Sequence, residues 1–163
     1  MKIKMLLIIS IFLLTTGCKT FIAGSPVDSF KNMTPKDAGY MVVGAVASLA
    51  VHEGAHMVTC EIVGADYSLH GLSVEYSGNL SESDHRWINR AGLLTQNVVG
   101  LFLDSSNFSK GFKILSAIET LTCPLRHSGD GDLYNIKKHG GNAALEWQIY
   151  NALAVYNLLT ITW

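Results

Sequence analysis

Residues 45–65, AVASLAVHEGAHMVTCEIVGA, set His52, Glu53 and His56 in a run that is otherwise nearly all apolar. Polar groups in such surroundings are costly unless a metal or a partner compensates. Histidines four apart on a helix share one face, one turn apart. Two neutral imidazoles so placed reach one Zn2+ from the same side. Glu53 then lies within reach of a water activated at that ion, as general base and later as acid to a leaving amine. His-Glu-x-x-His on a helix is thus the pattern of a zinc-dependent peptidase, with His52 and His56 as ligands and Glu53 as the catalytic carboxylate. The competing account is a structural trio hydrogen-bonded among helices.

A mononuclear site needs a third protein ligand. The metzincin extension asks for Gly and His three and six residues past His56, where this chain has Thr59 and Ile62. Glu75 follows His56 after eighteen residues, a gap known among other zincins, but it sits in a strand-like stretch rather than a second helix. Asp130 and Asp132, in SGDGDLYNI, are better placed. An Asp at a helix start, preceded by Gly, can turn its carboxylate toward an ion with little backbone in the way. Asp132 is favoured, because apolar Leu133, Tyr134 and Ile136 follow it as if its helix were buried. The competing role for either is an ordinary cap or turn aspartate. Cys60 continues the histidine row but reaches poorly round one ion, and reads as packing. His70, His85, His127 and His139 read as surface or hydrogen-bonded histidines. Gln96 or Asn97 could serve a substrate carbonyl, steady the Asp loop or, more simply, join two helices. Trp147, Tyr150, Ala154 and Asn157 read as a packing row.

The elements that must hold these groups are mostly helices. Thr34 can cap, Pro35 suits the first helical position and Asp37 suits the positive end of the dipole. That helix runs to about Val63, with Gly64 as its stop. Residues 67–78 change to short strands, with a hairpin turn near His70-Gly71. Apolar helices are expected at 86–107, 110–127 and 144–163, with a short one from Asp132 to about His139. The fold class is mainly α: a small bundle of apolar helices with a short β segment after the His-Glu-x-x-His helix.

The chain has 163 residues, one domain's worth, of which 48% are hydrophobic and 15% charged, with a net charge of −1. Without a basic patch, nucleic acid is excluded as a partner; the apolar balance points to a membrane or another protein. The N-terminus, MKIKMLLIISIFLLTTGC, has the charged, apolar and small-residue regions of a secretory signal. Its end resembles a bacterial lipoprotein box, with Cys18 as the lipidation site and Thr15 where an aliphatic residue is usual. Residues 1–18 are therefore read as a signal, 19–36 as a tether and 37–163 as one helical domain of an exported, envelope-associated protein. Cys60 and Cys123 remain, as a disulfide or as two buried thiols. Two placements stay open: a bundle that spans the bilayer, with 39–63 and 91–104 as the favoured spans, or a compact domain lying on its surface.

HEGAHMVTCEIVGADYSLHGLSVEY resembles the catalytic helix and following β segment of the site-2 protease family of membrane metallopeptidases. NRAGLLTQNVVGLFL resembles that family's next helix: Gly92 matches, Leu93 stands in the usual Pro position, and Gln96 or Asn97 takes the place of its Asn. CPLRHSGDGDL resembles its later Asp-Gly segment, with Pro124 and Asp130-Gly131 matching. The resemblance covers about residues 40–136. It implies Zn2+ as cofactor, an Asp from this segment as third ligand, and hydrolysis of peptide or protein substrates at a membrane. The alternative is an exported lipoprotein whose metal site is structural or vestigial and which acts as an interaction module.

Overall fold

A computed structural model describes residues 26–125 and 131–163. Among these, six α-helices and one hairpin follow in the order α1 (Pro26–Lys31), α2 (Pro35–Val63), β1 (Asp66–His70), β2 (Ser73–Ser77), α3 (Glu82–Phe102), α4 (Asn107–Thr122), α5 (Asp132–Lys138) and α6 (Ala143–Leu159), with a 3-10 turn at Cys123–Leu125. The fold is mainly helical, as expected. Residues 26–31, expected to be part of a tether, form α1. The signal region and Cys18 lie outside the described residues.

The ends of α2 follow its sequence signals. The Thr34 hydroxyl accepts from the Asp37 N–H and Asp37 returns a bond to the Thr34 N–H, a capping box with Pro35 as first residue. At the other end Gly64 takes φ 74°, a left-handed cap that closes on Cys60 O and Glu61 O. β1 and β2 pair antiparallel with Tyr67 opposite Tyr76 and His70 opposite Ser73, so the turn falls at Gly71-Leu72. α3 begins earlier than the apolar pattern suggests, because Ser81 and Asp84 build a second capping box in a polar stretch.

α2 packs along α3 and α4, α6 lies across α3 and α4, and α5 bridges α3 and α6. Backbone contact between α2 and α4 is close: a Cβ at Gly44 would strike the Phe108 carbonyl, and one at Gly111 the Met41 carbonyl. Two apolar clusters are small. One joins Leu93, Cys123, Leu133, Ile136 and Tyr150; the other joins Cys60, Ala65 and Ile88 under the hairpin. Cys60 and Cys123 are both buried, with no disulfide between them.

Much of the remaining interior is polar. Ser48, Gln96, Asn97, Ser116, Thr120 and Asn157 are all fully buried. Asn97 donates to Thr120 Oγ1 (2.8 Å) and accepts from Ser116, and Asn157 donates to the Asn97 carbonyl (2.9 Å), so α3, α4 and α6 are tied through side chains. Arg90 and Glu146 form a two-pronged ion pair (2.7–3.0 Å) between α3 and α6, with Tyr150 donating to the same carboxylate. The outside is apolar instead: Val42, Val43, Val46, Val58 and Ile62 of α2 are each more than half exposed, and Phe102 is 84% exposed. Among the described residues one helix, α2, is long and apolar enough to cross a membrane. Residues 91–104, the other favoured span, belong largely to α3, which carries Glu82, Asp84, Arg86 and Arg90 in its first half and does not meet that description.

Candidate metal centre

α2 turns His52 and His56 inward, where α3 crosses them at Gly92. A Cβ on Gly92 would lie 2.5 Å from the Nε2 of both rings, so only glycine lets the helix pass at this depth. The two Nε2 atoms are 3.0 Å apart. Asp132, the first residue of α5, closes the group from the third side: Oδ2 is 3.4 Å from His52 Nε2 and Oδ1 is 3.5 Å from His56 Nε2. Among the described residues these three can hold a metal ion together. Asp130 and His127 lie outside the described residues.

The far ring nitrogens fix the direction of the near ones. His56 Nδ1 donates to the Ile88 carbonyl at 2.7 Å, and His52 Nδ1 faces Gln96 Oε1 at 3.2 Å. With each Nδ1 carrying its proton, each Nε2 presents a lone pair. Two lone pairs and a carboxylate then converge within about one atomic diameter, in a site where His56 is only 6% exposed. Three acceptors so close repel one another unless a positive charge lies among them. That charge is a metal ion or a shared proton.

Glu53 stands beside this group rather than in it. Its Oε2 accepts from the Val74 N–H at 2.8 Å, which ties the carboxylate to β2. A cleft of about 790 Å³ opens there, lined by His52, Glu53, His56, Asp132, strand β2 and Glu119. Glu119 is a residue that the sequence reasoning missed. It lies on α4, lines the same cleft and acts electrostatically on His52. Its signal was faint: it is the one acidic residue of α4.

The other candidates separate cleanly. Glu75 lies on β2, 3.6 Å from His70, with both side chains largely exposed, and takes no part in the convergent group. Cys60 packs against Ile88 and Ala65. Asn97 joins helices, whereas Gln96 braces His52. Tyr150, Ala154 and Asn157 are buried as a packing row, with Trp147 against it. His85 and His139 stack face to face at the cleft wall, 4.0 Å between centroids and 9° from parallel. Burial, and then the neighbouring His139, hold the His85 pKa below the usual imidazole value. No family model, curated protein or solved structure matches the chain.

Proposed function

We propose that the chain is a membrane-associated, zinc-dependent peptidase of the site-2 protease type. The observation that carries this reading is the convergence of His52, His56 and Asp132 beside Glu53. Zn–N bonds of about 2.0–2.1 Å in a tetrahedron require ligand atoms about 3.3 Å apart; here the two Nε2 atoms are 3.0 Å apart, and each lies 3.4 or 3.5 Å from a different oxygen of the Asp132 carboxylate. Two imidazoles and one carboxylate form a donor set that suits zinc and leave a fourth position open. Zinc bound there would supply a water acidic enough to react near neutral pH and would polarise the scissile carbonyl.

The chain's own residues do the rest. Gln96 and the Ile88 carbonyl hold both imidazoles in the ligating tautomer. Glu53 keeps Oε2 on the Val74 N–H and takes the proton at Oε1, then delivers it to the leaving amine. The apolar sheath of α2 suits lipid. Its 29 residues span about 43 Å, against a hydrocarbon core of about 30 Å. An exported envelope location, with Cys18 as lipid anchor, is part of the same reading.

The test is Glu53→Gln in the full chain. It is expected to keep zinc and fold while losing cleavage of a peptide library by two orders of magnitude or more, on the scale of general acid–base catalysis at about 10²–10⁴. Equal cleavage by wild type and variant contradicts the assignment. A second reading has one observation in its favour: the Glu53–Val74 bond also gives Glu53 a structural task. Zinc bound without cleavage in either protein supports that reading, a structural metal site in an exported interaction module.

A further inference from the structure

Asp132 reaches the imidazoles from α5, a helix of seven residues whose N-cap, Gly131, makes no side-chain capping bond. So short a helix has little stability of its own. Leu133 and Ile136 bury one face of it. Among the described residues a second, polar anchor is at the opposite end from Asp132, and it comes from the first turns of α3. Arg86 Nη1 donates to the His139 carbonyl at 2.6 Å. The Glu82 carboxylate meets His139 Nδ1 at 2.8 Å. The His85 ring lies flat on the His139 ring. His85 is itself held, because its Nδ1 faces Tyr76 Oη at 3.2 Å and Asn89 ties that hydroxyl to the His85 carbonyl with two bonds of 2.6 Å.

The same α3 supplies the Ile88 carbonyl to His56, Gln96 to His52 and Gly92 to the space between them. One helix therefore sets the register of both halves of the site. It holds the histidine pair directly, and it holds the aspartate through the C-terminal end of α5.

We infer that His139, clamped on His85, is a positioning residue that fixes α5 and so brings the Asp132 carboxylate to the two imidazoles. This rests on the metal reading above. His139 is not one of the three converging ligand residues; it acts on Asp132 from two helical turns away, about 10 Å along α5. Its ring matters as a flat stacking body, so an aromatic replacement should serve.

The experiment measures Zn2+ affinity of the full chain in detergent against a chromogenic chelator, with amide hydrogen exchange across α5. His139→Ala and His85→Ala are each expected to weaken zinc binding about tenfold, within the range for loss of an outer-shell partner. The double variant should be no worse than either single one, since both remove one clamp. His139→Phe should stay near wild type, and exchange should rise in α5 but not in α6. Wild-type affinity in both alanine variants overturns the inference, as does a doubly weakened double variant or failure of His139→Phe to rescue. Should the alanine variants not fold, His139→Leu, which keeps apolar bulk but removes the flat ring, must still raise α5 exchange. Should wild type bind no zinc, the metal reading fails instead, and α5 exchange alone decides the clamp.

Discussion

The two faces of α2 have opposite chemistry. Its outer face carries Val42, Val43, Val46, Val58 and Ile62, all exposed. Its inner face buries Gly44, Ser48, His56 and Cys60. The helices packed against it continue the contrast, with Gln96, Asn97, Ser116 and Thr120 inside and Phe102, Ile118 and Leu121 outside. Water-soluble domains usually show the reverse. In lipid, apolar chains gain nothing by packing inward, so close backbone approach and interhelical hydrogen bonds join the helices instead. The polar interior that this permits is also what a pair of imidazoles and a carboxylate require.

The largest test of that contrast places a charge on each face. Val46→Lys should cost about 3 kcal/mol of membrane insertion, the figure for lysine near a helix centre, and should be read on residues 19–163, without the proposed Cys18 lipid, as loss from membranes after alkaline washing. The chain should stay folded in detergent. Ser116→Lys, at a fully buried site, should unfold it there. If Val46→Lys partitions like wild type, the outer face is not a lipid face.

Next comes Gly92→Ala. Its methyl would press on both imidazoles, so zinc affinity should fall by the ~100-fold upper figure for a disturbed outer shell, or more. Gly54→Ala, two residues from each histidine in sequence but with open space at its Cβ, should leave affinity unchanged and gain up to about 1 kcal/mol of helix stability. Equal effects at the two glycines would remove the distinction between inner and outer faces.

Asn97→Ala probes the polar interior away from the proposed metal site. It strips bonds from Thr120 and Ser116, and should destabilise the chain by about 1–3 kcal/mol in chemical unfolding. Zinc affinity should hardly change.

These features differ in how far sequence exposes them. Local chemistry was readable: Thr34-Pro35-Asp37 and Gly64 bound α2, and His70-Gly71 marks the hairpin, because caps and turns depend on a few adjacent residues. The His pair was readable because its partners lie one turn apart. The role of α3 was not. Gly92, Gln96 and the Ile88 carbonyl meet the imidazoles only after two helices cross, and no periodicity encodes that crossing. Glu119 was missed for the same reason. The clamp of His85 on His139 joins residues 54 positions apart, each of which reads alone as an ordinary histidine.

The smallest expected effect lies at the α3–α4 junction. Hydrogen bonds from Ser109 Oγ (2.6 Å) and from the Ser106 side chain and N–H (2.9 Å for the N–H) hold the Asp104 pKa down at about 2. A folded value below the unfolded one, about 3.9, means that the ionised group stabilises the fold. That contribution is complete above about pH 4 and is lost as pH falls toward 2. Asp104→Asn should flatten this part of the stability–pH curve and leave the neutral range alone. An unchanged acid limb would show that the bonds to Ser106 and Ser109 do not form in solution.

The proposed function needs one ion among His52, His56 and Asp132. Its most direct test is the zinc content of the purified full chain, by elemental analysis, for wild type, His56→Ala and Asp132→Asn. Close to one zinc per wild-type chain is expected, almost none in His56→Ala, and a markedly lower complement in Asp132→Asn. A wild-type chain without metal, or equal zinc in all three proteins, would contradict it.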